Sequence, residues 1–323
     1  MLKNVLKSVV IGGALLAASV ATSMAKEKFA LSLGWADGES GAHLKKGFED
    51  AVKKFGGTLT ITDANYDPKR QSDQIDAFIQ SKPTAIFVTA ADPAAIAPAV
   101  KRAIDAGIPV FAADSLIPGV AVTSTALSNN FGMGVVTGEF IAKRLGGKGN
   151  IAVVDLPSNE TWDLRALGLK WALQQYPDIK IVNTWSFNPS GSTTPRQGVE
   201  GILAANPDIQ AVWCAWDGAA MEGALALQAA GKTKVFTTGI DGGKLVFDHL
   251  NSGTGVALSM AQSFYEMAYL NVFYAYENLA GRKVPRIAVT PTYAVTKELL
   301  KGAAPDDYDV PGKARLLGWQ RAL

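Results

Sequence analysis

From Phe29 onward, short apolar runs alternate with stretches in which apolar residues recur every three or four positions. The first kind reads as strand and the second as amphipathic helix. A strand at 29–33 is followed by a helix at 44–55 that turns Leu44, Phe48, Ala51, Val52 and Phe55 to one side. The unit repeats as strand 58–62 with helix 69–80, strand 85–88 with helix 94–106, and strand 108–111, with an edge strand at 120–124. A second run then starts. Helices at 132–145, 164–175, 194–205, 219–230 and 243–250 alternate with strands at 151–154, 179–184, 211–214, 234–237 and 256–259. Apolar strands separated by helices imply parallel sheets covered on both faces. The run holds too many strands for one compact sheet, and 323 residues suffice for two cores. The predicted fold class is α/β, with two doubly wound parallel-sheet lobes.

Residues 1–25 break this pattern. Lys3 and Lys7 stand without an acid, 9–21 is apolar and small, and Ser23-Met24-Ala25 offers small residues for cleavage after Ala25. This reads as a secretory signal peptide rather than an anchor, because the apolar run is shorter than a spanning helix requires. Its removal takes 2 of 31 basic residues and none of the 29 acids, which leaves a mature chain of zero formal charge. No basic field remains for nucleic acid or an anionic membrane surface, so neither is expected as a partner.

Other chemistries find little support. Cys214 is the single cysteine and falls in an apolar strand, so a disulfide within the chain is impossible and a core position is expected. His43 and His249 lack metal-ligand spacing, and neither a metal nor a cofactor is expected. No G-x-G-x-x-G follows the first strand, while Gly146-Gly147-Lys148-Gly149 ends a helix, the reverse of a phosphate-cradling order.

Open parallel sheets bind ligands beyond the carboxyl ends of their strands. Those positions carry Trp35, Asp37, Glu39, Asp114, Trp162, Arg165, Trp185, Trp216, Asp217, Asp241 and Gln262. Indoles offer flat apolar faces and carboxylates accept hydroxyl hydrogen bonds, a combination suited to a sugar or polyol. Arg165 is the one arginine in these central loops, so the excess of acid disfavours an anionic ligand. Alternatives remain open here: Asp217 and Asp241 suit helix N-caps, Arg165 a surface ion pair, and paired carboxylates the acid and base of glycoside hydrolysis. Trp171 and Trp213 fall at helix and strand interiors and are expected in the core.

Five stretches then carry a resemblance: Ala106-Gly-Ile-Pro-Val-Phe-Ala-Ala-Asp114, Ser128-Asn-Asn-Phe-Gly132, Pro207-Asp-Ile-Gln-Ala-Val-Trp213, Ala224-Leu-Ala-Leu-Gln-Ala-Ala-Gly231 and Thr238-Gly-Ile-Asp-Gly242. In this order and spacing the chain resembles the ribose-type periplasmic binding proteins, the type I sugar receptors of ABC importers. The resemblance implies a three-strand hinge near Ser128, Gln262 and Thr290. One lobe then takes 26–127 plus 263–289, and the other 128–262 plus 290–323. It also implies a non-enzymatic periplasmic monomer that closes on a sugar and presents the closed form to a membrane permease complex.

Asp114, Asp241 and Gln262 match ligand positions of that family. Trp35 stands in its aromatic-rich first loop, and Trp216-Asp217 replaces a common Asn-Asp pair. Ser115 and Leu167 occupy places where arginines are frequent, leaving Arg165 to reach the cleft. The expected ligand is a neutral pyranose hexose, with an amino sugar or linear polyol behind it. A secreted glycoside-processing enzyme and a sugar sensor for a membrane receptor are the competing functions. A two-lobed repressor is disfavoured, because a signal peptide stands where its DNA-binding helices belong. In the tail, 301–313 reads as a loop and 314–323 as a short added strand.

Overall fold

The computed structural model describes residues 26–157, 160–189, 191–303 and 310–322, and the signal peptide read over 1–25 lies outside them. The first lobe is built on strands β1 (Lys28–Leu33), β2 (Thr58–Asp63), β3 (Ala85–Thr89), β4 (Val110–Ala113) and β5 (Ser124–Leu127), joined by helices α1 (Gly38–Phe55), α2 (Pro68–Ser81) and α3 (Pro93–Asp105). The second carries α4 (Asn130–Arg144), β6 (Lys148–Asp155), α5 (Glu160–Leu173), β7 (Asp178–Ser186), α6 (Pro195–Ala205) and β8 (Ala211–Cys214). It continues with α7 (Asp217–Ala229), β9 (Phe236–Asp241), α8 (Lys244–Ser252) and β10 (Val256–Ala261). The chain returns to the first lobe with α9 (Phe264–Leu279) and β11 (Ile287–Val289), then ends in the second with β12 (Tyr293–Val295), α10 (Lys297–Leu300) and α11 (Val310–Leu317).

Each lobe holds a sheet of six strands, ordered β11-β5-β4-β3-β1-β2 and β12-β10-β9-β8-β6-β7. All pairings are parallel except β10 with β12. Strand order reverses beside β1 and beside β6, the topological switch points at which open α/β sheets form a crevice.

Alternation along the strands explains the layers. Phe29, Leu31, Leu33 and Phe87 face α1 and α9, whereas Ala30, Ile86 and Val88 face α2 and α3. In the second sheet Ile151, Val153 and Trp213 face α4 and α5, while Ala152, Val154, Val212 and Cys214 face α6 and α7. Cys214 is buried, and burial pushes its thiol far above the usual range. Two of the three crossings, after β5 and after β11, run side by side between the lobes. Ser128 Oγ lies 3.2 Å from Thr290 Oγ1, and the Thr290 N–H donates to the Leu127 carbonyl at 2.9 Å.

Several elements differ from expectation. The last strand before the first crossing is β5, a few residues beyond the predicted 120–124. Helix α9 was hidden because Phe264–Leu279 is apolar nearly all round. Trp171 is 49% exposed, because α5 turns it outward, edge-on to Phe131, and not into the core. Trp213 is fully buried and donates its indole N–H to Thr137 Oγ1 at 2.8 Å. The tail forms a helix over the end of the expected loop and the first four residues of the expected strand, 314–317, since Val310 and Ala314 recur at helical spacing and pack with Trp319 against Tyr293 and Phe247. Strand-like pairing there is limited to one bridge between Arg321 and Tyr293.

Helices α4 and α5 cross where neither can carry a side chain. A Cβ on Gly134 would lie 1.9 Å from the Arg165 carbonyl oxygen, and one on Gly168 2.0 Å from that of Phe131. This close contact fixes the part of α5 that bears Arg165. Gly168→Val is therefore expected to destabilise the fold by about 1–3 kcal/mol or more. Gly201, within α6 and with open space around its Cβ position, supplies the control: Gly201→Ala should stabilise by about 0.5–1 kcal/mol. Urea denaturation of the two variants checks both signs.

Candidate functional site

The carboxyl ends of both sheets face a shared cavity of about 640 Å³. From the first lobe it is lined by Trp35, Asp37, Glu39 and Asp114, and from the second by Trp162, Arg165, Trp216, Asp217 and Asp241. Nine of the eleven expected site residues thus meet in one place. Tyr66, Phe187, Met221 and Phe264 complete the apolar part of the wall.

Two of the carboxylates sit on strained backbone. Asp114 has φ +74° and Asp241 φ +149°, values that L-residues seldom adopt. Sheet-end hydrogen bonds hold them there. The Asp114 N–H donates to the Ala126 carbonyl at 2.9 Å, and the Asp241 carbonyl accepts from the Gln262 N–H at 2.8 Å.

Arg165 is the cation of the site and is 1% exposed. Its Nε donates to Asn130 Oδ1 at 2.9 Å and its Nη1 to the Ala215 carbonyl at 2.7 Å, with Asp241 Oδ1 at 3.5 Å. These contacts replace the surface ion pair that the sequence left open. Asp217 is also buried; its Oδ2 accepts from the Gly242 N–H at 2.6 Å and from the Ser259 hydroxyl at 2.7 Å. Asp241 Oδ1 accepts from Gln262 Nε2 at 2.8 Å.

Burial raises the pKa of Asp217, and the charge of Asp241 adds to that; Ser259, Gly242 and Arg165 oppose it. Burial likewise raises Asp241, helped by Asp114 and opposed by Arg165 and Gln262. Asp114 is raised by burial against the pull of Arg165. Neither Asp217 nor Asp241 is an N-cap. Trp216 and Gly243 hold those positions for α7 and α8, and neither makes a side-chain capping bond.

The aromatic groups form a slab. Trp162 and Trp216 stack with centroids 4.7 Å apart and planes 3° from parallel, and Phe187 packs on Trp216 at 5.3 Å. Across the cavity, Trp35 meets Phe264 edge-on at 6.0 Å.

Two expected residues stand outside the lining. Trp185 lies within β7 and not in the loop after it, and its ring covers α6 so closely that a Cβ on Gly198 would come within 2.4 Å. It packs 6.1 Å from Phe187 and supports the aromatic slab from below. Gln262 is 1% exposed and orients Asp241. Asp37 accepts the Tyr66 hydroxyl at 2.8 Å, and Glu39 Oε2 accepts the Leu245 N–H at 3.0 Å. Burial first, then Asp37, raises the Tyr66 phenol well above its usual range. Among the described residues, no group of three or more His, Cys, Asp or Glu is arranged to hold a metal ion.

Two doubly wound lobes around a polar and aromatic cleft define a two-lobed solute receptor. Residues 29–283 match the periplasmic binding protein domain family, and the chain belongs to it. It is 29% identical to the D-apiose import binding protein of Actinobacillus succinogenes, over 69% of this chain and 72% of that protein. It is 27% identical to the ribose import binding protein RbsB of Escherichia coli K12, over 84% of this chain and 91% of that one. Among solved structures, an Agrobacterium vitis ABC transporter solute-binding protein bound with α-D-tagatopyranose superposes with a TM-score of 0.80 at 27% identity, covering 86% of this chain and 97% of that one. The protein is a sugar-type solute-binding protein of the ABC importers, and such receptors are not enzymes.

The carboxylate pair has a pH signature. A carboxyl whose folded pKa is raised contributes most to stability below its unfolded value, near about 4, and that contribution is lost as pH rises through the folded value. Asp217→Asn should therefore match the wild type in ligand-free stability near pH 4 and exceed it by on the order of 1 kcal/mol at pH 8. Arg165→Met should cost about 3–5 kcal/mol at neutral pH, because it leaves buried carboxylates uncompensated. Thermal denaturation across pH measures both.

Proposed function

We propose that the cleft binds one monosaccharide-sized polyhydroxylated solute, a neutral pyranose hexose first and an amino sugar or linear polyol next, and delivers it to a membrane permease. The observation that carries this reading is the pairing of a parallel indole slab, Trp162 on Trp216, with the carboxylates Asp114, Asp217 and Asp241 in one cavity. An indole face covers the C–H side of a sugar ring, while carboxyl oxygens accept directional hydrogen bonds from its hydroxyls. One buried guanidinium among several acids leaves little to attract an anionic sugar. The names of the relatives, which mention apiose, ribose and tagatopyranose, support the same chemical class.

In this reading, 26–127 with 263–289 moves as one body and 128–262 with 290–323 as the other. The mature chain is exported by cleavage after Ala25 and works as a periplasmic monomer. Export supplies the compartment, and the zero net charge of the mature chain fits a small solute and a permease as partners, without nucleic acid.

The test is calorimetry and thermal denaturation of residues 26–323, refolded from denaturant to free it of any carried-over solute. Neutral hexoses, pentoses, amino sugars, polyols and acidic sugars form the panel. A saturable upward shift with one stereochemical set, and no product, is expected. No shift with any polyhydroxylated compound overturns the reading, as does preference for the acidic sugars. Asp241→Ala should weaken binding by about 1.5–3 kcal/mol, or roughly 10- to 150-fold. Trp216→Ala should abolish most of the ligand-dependent fluorescence change.

A further inference from the structure

Helix α8 (Lys244–Ser252) begins at the edge of the cleft without a cap of its own. Its N-cap residue is Gly243, which has no side chain to accept from the free amides of the first turn. Such amides are a standing cost and carry the positive end of the helix dipole. One of them, the Leu245 N–H, donates to Glu39 Oε2 at 3.0 Å. Glu39 lies in the first turn of α1, in the other lobe and 206 residues away in sequence. The contact also requires Gly243 to be glycine, with φ +146°, because a Cβ there would stand 2.6 Å from Glu39 Oε2 and 3.1 Å from its Cδ.

We propose that Glu39 caps helix α8 in trans and so acts as a latch on the closed form, setting affinity through closure and not through contact with the solute. The carboxylate reaches α8 only when the lobes are together. Opening the cleft exposes the first turn of α8 to water and removes the anion from the positive end of the helix. A capping carboxylate at a helix N-terminus shifts a two-state balance by about 5- to 30-fold. Because the latch belongs to the closed form as such, it multiplies the affinity of every ligand by the same factor and acts mainly on release. A residue that grips the solute would instead alter the ratio between ligands.

This inference rests on the proposed closure around a solute, and its test includes one arm that needs no ligand. In Glu39→Ala, hydrogen exchange of the α8 N-terminal amides at 245–247 should be faster than in the wild type without any added ligand. Unchanged protection overturns the latch whatever the solute proves to be. For ligands found by the panel, Glu39→Ala should raise Kd about 5- to 30-fold, equally for the best and second-best ligand and chiefly through a faster off-rate. Glu39→Gln, which keeps an acceptor but not the charge, should fall between. A change in the ligand ratio, or an unchanged Kd, refutes the proposal. Far-UV circular dichroism and the Tm without ligand show whether each variant is folded. If no solute binds the wild type while the exchange arm still responds, the receptor reading fails and the latch stands.

Discussion

The cleft depends on one buried guanidinium. Arg165 stands among Asp114, Asp217 and Asp241, groups whose burial alone would drive them towards the neutral form. A cation there cannot float. It is held by Asn130 and by the Ala215 carbonyl at the end of β8, so that its charge is aimed at Asp241 and its position is set by backbone. The tight crossing of α4 and α5 at Gly134 and Gly168 serves the same end, since it fixes the turn of helix from which Arg165 projects. Packing in the second lobe is thereby converted into electrostatics in the cleft.

The same dependence explains the polar shell around the carboxylates. Ser259 and the Gly242 amide satisfy one oxygen of Asp217, and Gln262 satisfies one of Asp241. Strained backbone at Asp114 and Asp241 is the other half of the arrangement, because those φ values break the extended geometry that would point the side chains to a face of the sheet. The sheets over-determine these positions. Each strained residue is anchored by a main-chain hydrogen bond to a neighbouring strand or crossing.

Much of this was legible in the sequence, for a physical reason: parallel sheets need apolar strands, and their carboxyl ends are where irregular polar residues collect. Asp114, Trp216, Asp217 and Asp241 could be placed by that rule alone; Arg165 could not, because it lies inside α5 (Glu160–Leu173) and not in a loop. Trp185 misled because its strand runs longer than the apolar stretch suggests, to Ser186, which moves the indole from loop to sheet. Trp171 misled because α5 has almost no amphipathic contrast, so periodicity gave no inward face. Tyr66 had no signal, since a left-handed turn residue one step beyond Asn65 carries no periodicity. Gln262, expected in the lining, lies behind it, where it donates to Asp241 Oδ1. Glu39 was legible as a cleft residue; its link to α8 was not, because a contact between lobes has no trace in local pattern.

Two opposing terms act on the closed form. Glu39 on α8 favours it whether or not a solute is present. The carboxylates disfavour it when no hydroxyl donors accompany them: Asp114 Oδ1, on the cleft wall, is buried with no donor among the described residues, and an unsatisfied buried acceptor costs about 1–3 kcal/mol. A polyhydroxylated ring able to donate to Asp114 removes part of that cost and adds contact with the indole slab. In the proposed reading these two contributions oppose each other, and the solute tips the balance. A latch much stronger than one cap would close the cleft without a solute and present a false signal to a permease. A cleft with fewer buried acids would lose the penalty that makes closure conditional. The ratio of acids to arginine in this site therefore sets how strictly closing reports occupancy.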